Sequence, residues 1–304
     1  MTLAPPHAVP DGPDEDRLHA DLAQGARDLG AIGPVLRHLV ARPDSSLFGE
    51  EIVARTRGMI ESLALSLLRT AGERAVDSQL PGLVARLCDQ ERLLVHGHAL
   101  ALEGQHTAAL GSRGIDSTLP PLLQAMMAGD RSDGAALAMA VLAAQTRFIR
   151  NQQRMELDFA ELPGDLLHDV LRVFAECSGS EGMAAMRVVR AGYDDRKSRL
   201  ALLAQVGLGQ GDAFLSCLDP AQAGFALFAT ALSLVTGQER DRVVVATARG
   251  HEARLGLMLA MAGLAPPARE AVLLWLHPDA GPAGAWLEID GHRAAELLQA
   301  EGQP

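Results

Sequence analysis

Apolar residues recur at helical spacing along most of this chain, and strand-like alternation is rare. In one run, five large apolar side chains are separated by four, seven, four and four residues: Phe48, Ile52, Met59, Leu63 and Leu67. This spacing matches the 3.6-residue period of an α-helix, not the two-residue period of a strand. The same pattern recurs over residues 135–150. We therefore predict an all-α or nearly all-α fold.

Two short segments are the exceptions to this helical pattern. Residues 242–247 read RVVVAT, which is rich in β-branched side chains, and residues 286–289 read WLEI after a Gly/Pro turn. Periodicity alone does not separate a short strand from the edge of a helix. A short two-stranded element near residues 242–289 is therefore compatible with the sequence, beside the helical alternative.

A proline-containing phrase recurs along the chain. It begins at Leu80, Leu119 and Leu162, with spacings of 39 and 43 residues, and looser versions begin at Leu218 and Leu264. Proline is favoured in the first turn of a helix, so each phrase is expected to mark a helix start. A spacing near 40 residues is typical of HEAT repeats, and we predict irregular stacked helical hairpins of that kind. The alternative is an Ala/Leu-rich chain that restarts helices irregularly, and the 56-residue gap from Leu162 to Leu218 favours it.

The predicted organisation has three parts. Residues 1–16 form an acidic, proline-rich tail that is expected to be disordered. Residues 17–178 form an N-terminal helical region and residues 179–304 a C-terminal one. One continuous domain covering both regions is also compatible with a chain of this length.

Charge argues against binding of nucleic acid. The net charge is −11, Lys197 is the only lysine, and aromatic residues make up 3%. Nucleic-acid binding usually needs clustered cations for the phosphates and aromatic rings for the bases. Local basic stretches occur at Arg147, Arg150 and Arg154 and again between Arg187 and Arg199, and we interpret them as solvated helix faces.

Cysteine usage and the N-terminal sequence both indicate a cytoplasmic protein. Cys88, Cys177 and Cys217 are far apart and form no CxxC pair, which is typical of a reducing compartment. The first residues lack the basic and apolar regions of a signal peptide. The most apolar window, Ala223–Gly237, is shorter than the roughly 18–20 residues of a membrane span. We predict that it is a buried core helix.

No motif in the chain predicts catalysis, a cofactor or a metal. His96, His98 and His106 form the densest histidine group. Histidines two residues apart on a helix point about 200° apart and cannot share one metal ion. We interpret all three as surface or partly buried helix histidines. Cys177 is expected at a helix C-terminus, where the dipole disfavours a reactive thiolate.

Phrases in the C-terminal half resemble a known bacterial family. They are ELPGDLLH at Glu161–His168, RLGLMLAMAGL at Arg254–Leu264, and the AVLLWLHPDAG that follows. The chain resembles the family called domain of unknown function 2336. That family is similar to HEAT-like helical proteins and has no catalytic motif, so the resemblance implies a helical fold and no site residue.

The sequence favours a protein that acts by binding. Three residues are candidates for an interaction surface: Trp286, His277 and His168. Tryptophan is enriched at binding hot spots, although it also fills cores. Our prediction is a non-enzymatic cytoplasmic adaptor or regulator that binds another protein through a helical groove. The alternative is an enzyme or small-ligand-binding protein whose site is built from dispersed polar residues. The partner's identity and the oligomeric state stay open.

Overall fold

A computed structural model describes residues 13–38, 47–72, 76–129, 131–279 and 284–301. These residues form thirteen α-helices: α1 (Pro13–Arg37), α2 (Glu50–Ala71), α3 (Val76–Cys88), α4 (Glu91–Gly111), α5 (Pro121–Ala128), α6 (Ser132–Gln153), α7 (Gly164–Gly192), α8 (Arg199–Leu208), α9 (Pro220–Thr236), α10 (Arg240–Ala246), α11 (Glu252–Met261), α12 (Pro266–Leu276) and α13 (Gly291–Glu301). Four 3-10 helices lie between them: Phe159–Glu161, Asp195–Lys197, Gly211–Leu218 and Ala285–Glu288. The all-α prediction is confirmed.

The two strand-like segments are helical, which corrects the expected two-stranded element. Residues 242–246 belong to α10, and Trp286 lies in the 3-10 helix Ala285–Glu288. Within the described ranges no residue is in a strand. Val243, Val244 and Val245 are all fully buried. The three valines fill the core, so packing outweighs their strand propensity.

Helix α4 lies at the centre of the packing. It contacts α1, α2, α9 and α10 and also touches α6, α7 and α12. In a solenoid each repeat contacts only its neighbours, so these long-range contacts do not favour HEAT-like stacking, which stays a prediction. One cluster of buried apolar residues includes both residues 17–178 and residues 179–301. The two predicted regions therefore share a core.

The proline phrases mark helix starts in four of five places. Proline directly precedes or opens α5, α7, α9 and α12, where its missing N–H removes no intrahelical bond. The first phrase is different, because Pro81 lies inside α3.

The predicted disordered tail also needs correction, since α1 begins at Pro13 and so includes residues 13–16. Residues 1–12 lie outside the described ranges.

Helix α7 is a hairpin of two helical arms. Gly179 has φ 56° and ψ −127°, a conformation that breaks the helix and that glycine adopts most readily. Residues 164–178 form the first arm and residues 180–192 the second. A Cβ atom on Gly182 would lie 3.0 Å from Ala175 Cα, so the arms approach at backbone distance near the turn. Arg190 contacts His168 near the opposite end, which shows that the arms run side by side.

The indole ring of Trp286 packs directly against helix α11 at Gly256. A Cβ atom on Gly256 would lie 2.1 Å from Trp286 Cζ3, well inside van der Waals contact. We expect Gly256→Ala to lower the free energy of unfolding by about 1–3 kcal/mol, because the indole must move out of its site. Urea unfolding followed by tryptophan fluorescence measures the change.

Gly82→Ala is the matched control for this variant. Gly82 lies in helix α3, and a Cβ atom there would meet no atom of the described residues within 4 Å. Alanine is about 1 kcal/mol better than glycine inside a helix, so this variant should be unchanged or more stable. Equal stability effects at the two positions would contradict the proposed contact with Trp286.

Candidate binding cleft and its buried ionic wall

A cleft of about 990 Å³ opens between α1, α4, α10 and α13, with the starts of α7 and α8 at its side. Its floor is apolar and comes from five helices: Leu29, Ile32, Val95, Leu166, Val245 and Leu298. Its rim carries charges of both signs: Glu91, Arg92, Glu239 and Arg242. The outer charges are solvated, since the Arg92, Arg242 and Glu239 side chains are 63%, 53% and 80% exposed. The cleft thus combines an apolar floor with polar edges.

Arg199 lies behind one wall of this cleft and is almost fully buried. Its Nε donates to Glu161 Oε2 at 2.7 Å, and its Nη1 and Nη2 donate to the two oxygens of Glu103 at 2.5 and 3.2 Å. The guanidinium carbon lies 3.7 Å from the centre of the Phe148 ring. A planar guanidinium can satisfy two carboxylates and an aromatic face at once, which an ammonium cannot. Arg199 therefore joins α4, α6 and the turn before α7 to the start of α8.

Arg240 continues this network to the surface of the cleft. Its Nη1 donates to Glu103 Oε2 at 2.9 Å, and its Nε donates to Thr230 Oγ1 at 2.9 Å. Burial alone would raise the pKa of Glu103, but the two guanidinium groups lower it to about 2. Burial also raises the pKa of Glu161, which has one guanidinium partner, Arg199. Glu103 is therefore ionised, and its carboxylate pairs with both Arg199 and Arg240.

His96 and Asp241 form a second ion pair in the wall of the cleft. His96 Nδ1 donates to Asp241 Oδ2 and its Nε2 donates to the carbonyl oxygen of Glu161, both at 2.9 Å. An imidazole that faces two acceptors must carry two N–H groups, so it is protonated. Burial would lower the pKa of His96, but the Asp241 carboxylate outweighs it and raises that pKa. The Asp241 side chain keeps 24% exposure and faces the cleft.

These internal bonds limit the chemistry that the wall can perform. Both nitrogens of His96 are used by acceptors of the protein, so the ring is not disposed to exchange a proton with a bound molecule. Cys88 and Cys217 are buried, and burial raises the pKa of the Cys217 thiol to about 11. Cys177 is exposed near the turn of the α7 hairpin, outside the cleft.

Among the described residues, no group of three or more His, Cys, Asp or Glu side chains is placed to hold a metal ion. The three histidines that we interpreted as surface or partly buried lie instead in the core, with His96, His98 and His106 at 1%, 0% and 9% exposure. His98 Nε2 donates to the Leu47 carbonyl at 2.7 Å, and burial lowers its pKa to about 4. His106 stacks on Phe225, and burial lowers its pKa to about 3.

The three predicted interaction residues are not brought together. His168 is exposed on the first arm of the α7 hairpin. His277 is buried, with 4% exposure, and Trp286 is half-buried against Gly256. None of the three lines the cleft. Trp275 packs against the core and is partly exposed.

Sequence reasoning missed the buried ionic network. Arg199 was assigned to a solvated basic stretch, but it is almost fully buried, which corrects that interpretation. Arg240 also gave no signal, because it lies in the polar run QERDR, and Glu161 was noted only as the first residue of the phrase ELPGDLLH. Glu103 was detectable in principle, because it is the one charged residue in an apolar helical run, HALALEG. A lone acid at a core position is rarely left without a cation partner.

The apolar window at Ala223–Gly237 falls mostly within α9, whose residues are largely buried in the core. None of the described helices is by itself both long and apolar enough to span a bilayer. In the part of the chain that the structure describes, one pair of consecutive helices, α9 and α10, meets that test when taken together, and the two are bent by 116° relative to each other.

Comparison with family models, with curated proteins and with solved structures found no match to this chain. The resemblance to domain of unknown function 2336 therefore stays a prediction.

Proposed function

We propose that this protein is a non-enzymatic adaptor that binds an amphipathic helical segment of a protein partner in the cleft. The observation that carries the proposal is the combination of an apolar floor with a rim of both charges. Helices dock into such grooves through an apolar stripe, while their polar side chains meet the rim. A cytoplasmic location, predicted from the sequence, belongs to the same proposal.

The size of the cleft supports this occupant. An α-helix about 10–12 Å wide with a 5.4 Å pitch fills roughly 500 Å³ per turn. A cleft of about 990 Å³ therefore accommodates about two turns of helix. Two turns present apolar side chains at positions i, i+3, i+4 and i+7, enough to cover the floor.

The rim residues can change partners when a helix binds. Arg242 Nε lies 3.4 Å from Glu239 Oε2, and Arg92 pairs with Asp165 and Asp169. Exposed ion pairs of this kind are worth about 0–1 kcal/mol, so exchanging them for contacts with a partner costs little. The wall below the rim is fixed instead, because its cations are bonded to Glu103, Glu161 and Asp241.

Photo-crosslinking tests this proposal in cells of the source organism. A photoreactive phenylalanine replaces Gln299, which is exposed on α13 and lines the cleft. The control position is His292, which is 86% exposed on the same helix but lies outside the cleft. We expect one discrete protein adduct from position 299 and none from position 292.

A direct binding measurement completes the test. The partner segment identified in the adduct is synthesised, and its affinity is measured by fluorescence anisotropy with the wild-type protein and with Arg242→Glu. Loss of a charged hydrogen bond is worth about 1.5–3 kcal/mol, so we expect affinity to fall about ten-fold or more. Adducts at both positions, no adduct at position 299, or an unchanged affinity would each contradict the proposal.

The second candidate function is binding of a small ligand. The partial exposure of Asp241 inside the cleft favours it, because a carboxylate there could meet a cationic group. Native mass spectrometry of the purified protein distinguishes the two functions. A retained small molecule that is lost in Asp241→Asn would replace the adaptor proposal.

A further inference from the structure

A second groove lies on the α7 hairpin, outside the cleft. It has a volume of about 340 Å³ and runs between the two arms. The first arm contributes His168, Arg172, Ala175 and Glu176, and the second contributes Met183, Met186 and Arg190. None of these residues lines the cleft, so an inference drawn from them is independent of the proposed function.

The floor of this groove is formed by flexible apolar side chains. Met183 is 47% exposed, and Met186 is half-buried beside it. Methionine adapts its shape to apolar side chains of different form and is over-used at protein-binding surfaces. The groove is smaller than one turn of helix, which fills roughly 500 Å³. It therefore fits one or two side chains of a partner, not a whole helix.

The two arginines that line the groove, Arg172 and Arg190, have different kinds of partner. Arg172 is neutralised within its own arm, since its Nη1 lies 3.3 Å from Glu176 and its Nη2 lies 4.0 Å from Asp169. Arg190 has a different partner, the His168 imidazole, whose Nδ1 accepts a hydrogen bond from Arg190 Nη2. Across the described parts of the chain, none of the ion pairs includes Arg190. The Glu176 carboxylate also lines the groove but pairs with Arg172, so Arg190 is the guanidinium there that no carboxylate of the described residues pairs with.

We propose that this groove binds a short acidic motif of a protein partner, in which an apolar side chain enters between Met183 and Met186 and an adjacent carboxylate pairs with Arg190. A guanidinium offers parallel N–H donors that match a carboxylate, which makes an acidic residue the complementary group. His168 is a positioning residue, because its contact holds Arg190 at the edge of the groove.

The experiment uses the full-length protein labelled with ¹³C at the methionine methyl groups. The probe is the acetylated, amidated peptide ELLEELLE, which places carboxylates beside leucines. We expect saturable shifts of the Met183 and Met186 methyl signals, assigned with single Met→Leu variants. Met139, which is 51% exposed on α6, should not shift. The peptide KLLKKLLK, with the same leucines and the opposite charge, is the matched probe and should produce no shift.

Charge-reversal variants then test the ion pair between Arg190 and a carboxylate of the peptide. Arg190→Glu should weaken binding of the acidic peptide about ten-fold or more, because it replaces an attractive pair with a repulsive one. Arg196→Glu, at an exposed arginine outside the groove, should leave the affinity within about two-fold. Arg242→Glu changes the cleft and should leave the Met183 and Met186 shifts intact, so failure of the cleft proposal does not imply failure of this one.

Any of four results would overturn the proposal. Three of them are the absence of saturable shifts at Met183 and Met186, equal binding of both peptides, and unchanged affinity in Arg190→Glu. A fourth is tighter binding to phosphatidylglycerol vesicles than to the acidic peptide with the same dependence on Arg190, which would assign the surface to a membrane.

Discussion

Replacing Arg199 with methionine is expected to lower the free energy of unfolding by about 3–5 kcal/mol, because it leaves two buried carboxylates without their shared cation. Glu103 and Glu161 are 0% and 6% exposed, and both bind the Arg199 guanidinium. Glu103 retains Arg240, whereas Glu161 keeps no cation in bonding distance among the described side chains. Urea unfolding at pH 7, followed by circular dichroism, measures the loss.

Two further variants separate charge from geometry. Arg196→Met removes an arginine that is 90% exposed, and we expect a change within about 0.5 kcal/mol. Arg199→Lys keeps the charge but cannot fork between two carboxylates, so its loss should be intermediate. If Arg199→Met unfolds at nearly the wild-type urea concentration, the ionic network does not hold these helices together.

Lowering the pH from 7 to 5 should destabilise the protein by about 4 kcal/mol through His98 and His106 alone. Burial lowers their pKa values from 6.5 to about 4 and about 3 in the folded state. Between pH 6.5 and those values the unfolded chain binds protons that the folded chain does not, so stability falls as the pH falls. Burial also lowers the pKa of His251 and His277, which adds to the loss. The raised pKa of His96 opposes it, since that interaction is complete below pH 6.5.

His106→Phe isolates one of these contributions. Its Nε2 atom has no hydrogen-bond partner among the described residues, and its ring stacks on Phe225 at 4.7 Å, so phenylalanine can take its place. We expect the loss of stability between pH 7 and pH 5 to be about 2 kcal/mol smaller in this variant. His292→Gln, at a histidine 86% exposed, is the control and should leave the pH dependence unchanged. An identical pH dependence in His106→Phe and wild type would contradict a neutral His106 in the folded protein.

The interior of α2 illustrates what periodicity predicts well. Ile52, Met59, Leu63 and Leu67 lie on one face and all are buried. The helix ends at a glycine, since Gly72 adopts φ 73° after Ala71. Both features depend on near neighbours in the chain, because a helix repeats its side-chain directions every 3.6 residues.

The outcome at α10 shows where local patterns fail. Its three valines favour a strand by propensity, yet they occupy a short buried helix. Similarly, the basic stretch that ends at Arg199 gave no sign that its last member would be buried. The conformation of the valines and the burial of Arg199 both depend on which distant residues pack against them. The partners of Arg199 lie 38 and 96 residues away in the chain.

The amino-acid sequence by itself determined that this protein is helical, and it located several of its helices and the four helix starts that proline marks. Only the tertiary structure decided which polar side chains meet: Glu103 with Arg199 and Arg240, His96 with Asp241, and Arg190 with His168. The physical reason is the separation along the chain between the residues that interact. Helix formation follows from backbone hydrogen bonds between residues four apart, whereas ion pairs and clefts depend on how distant helices pack.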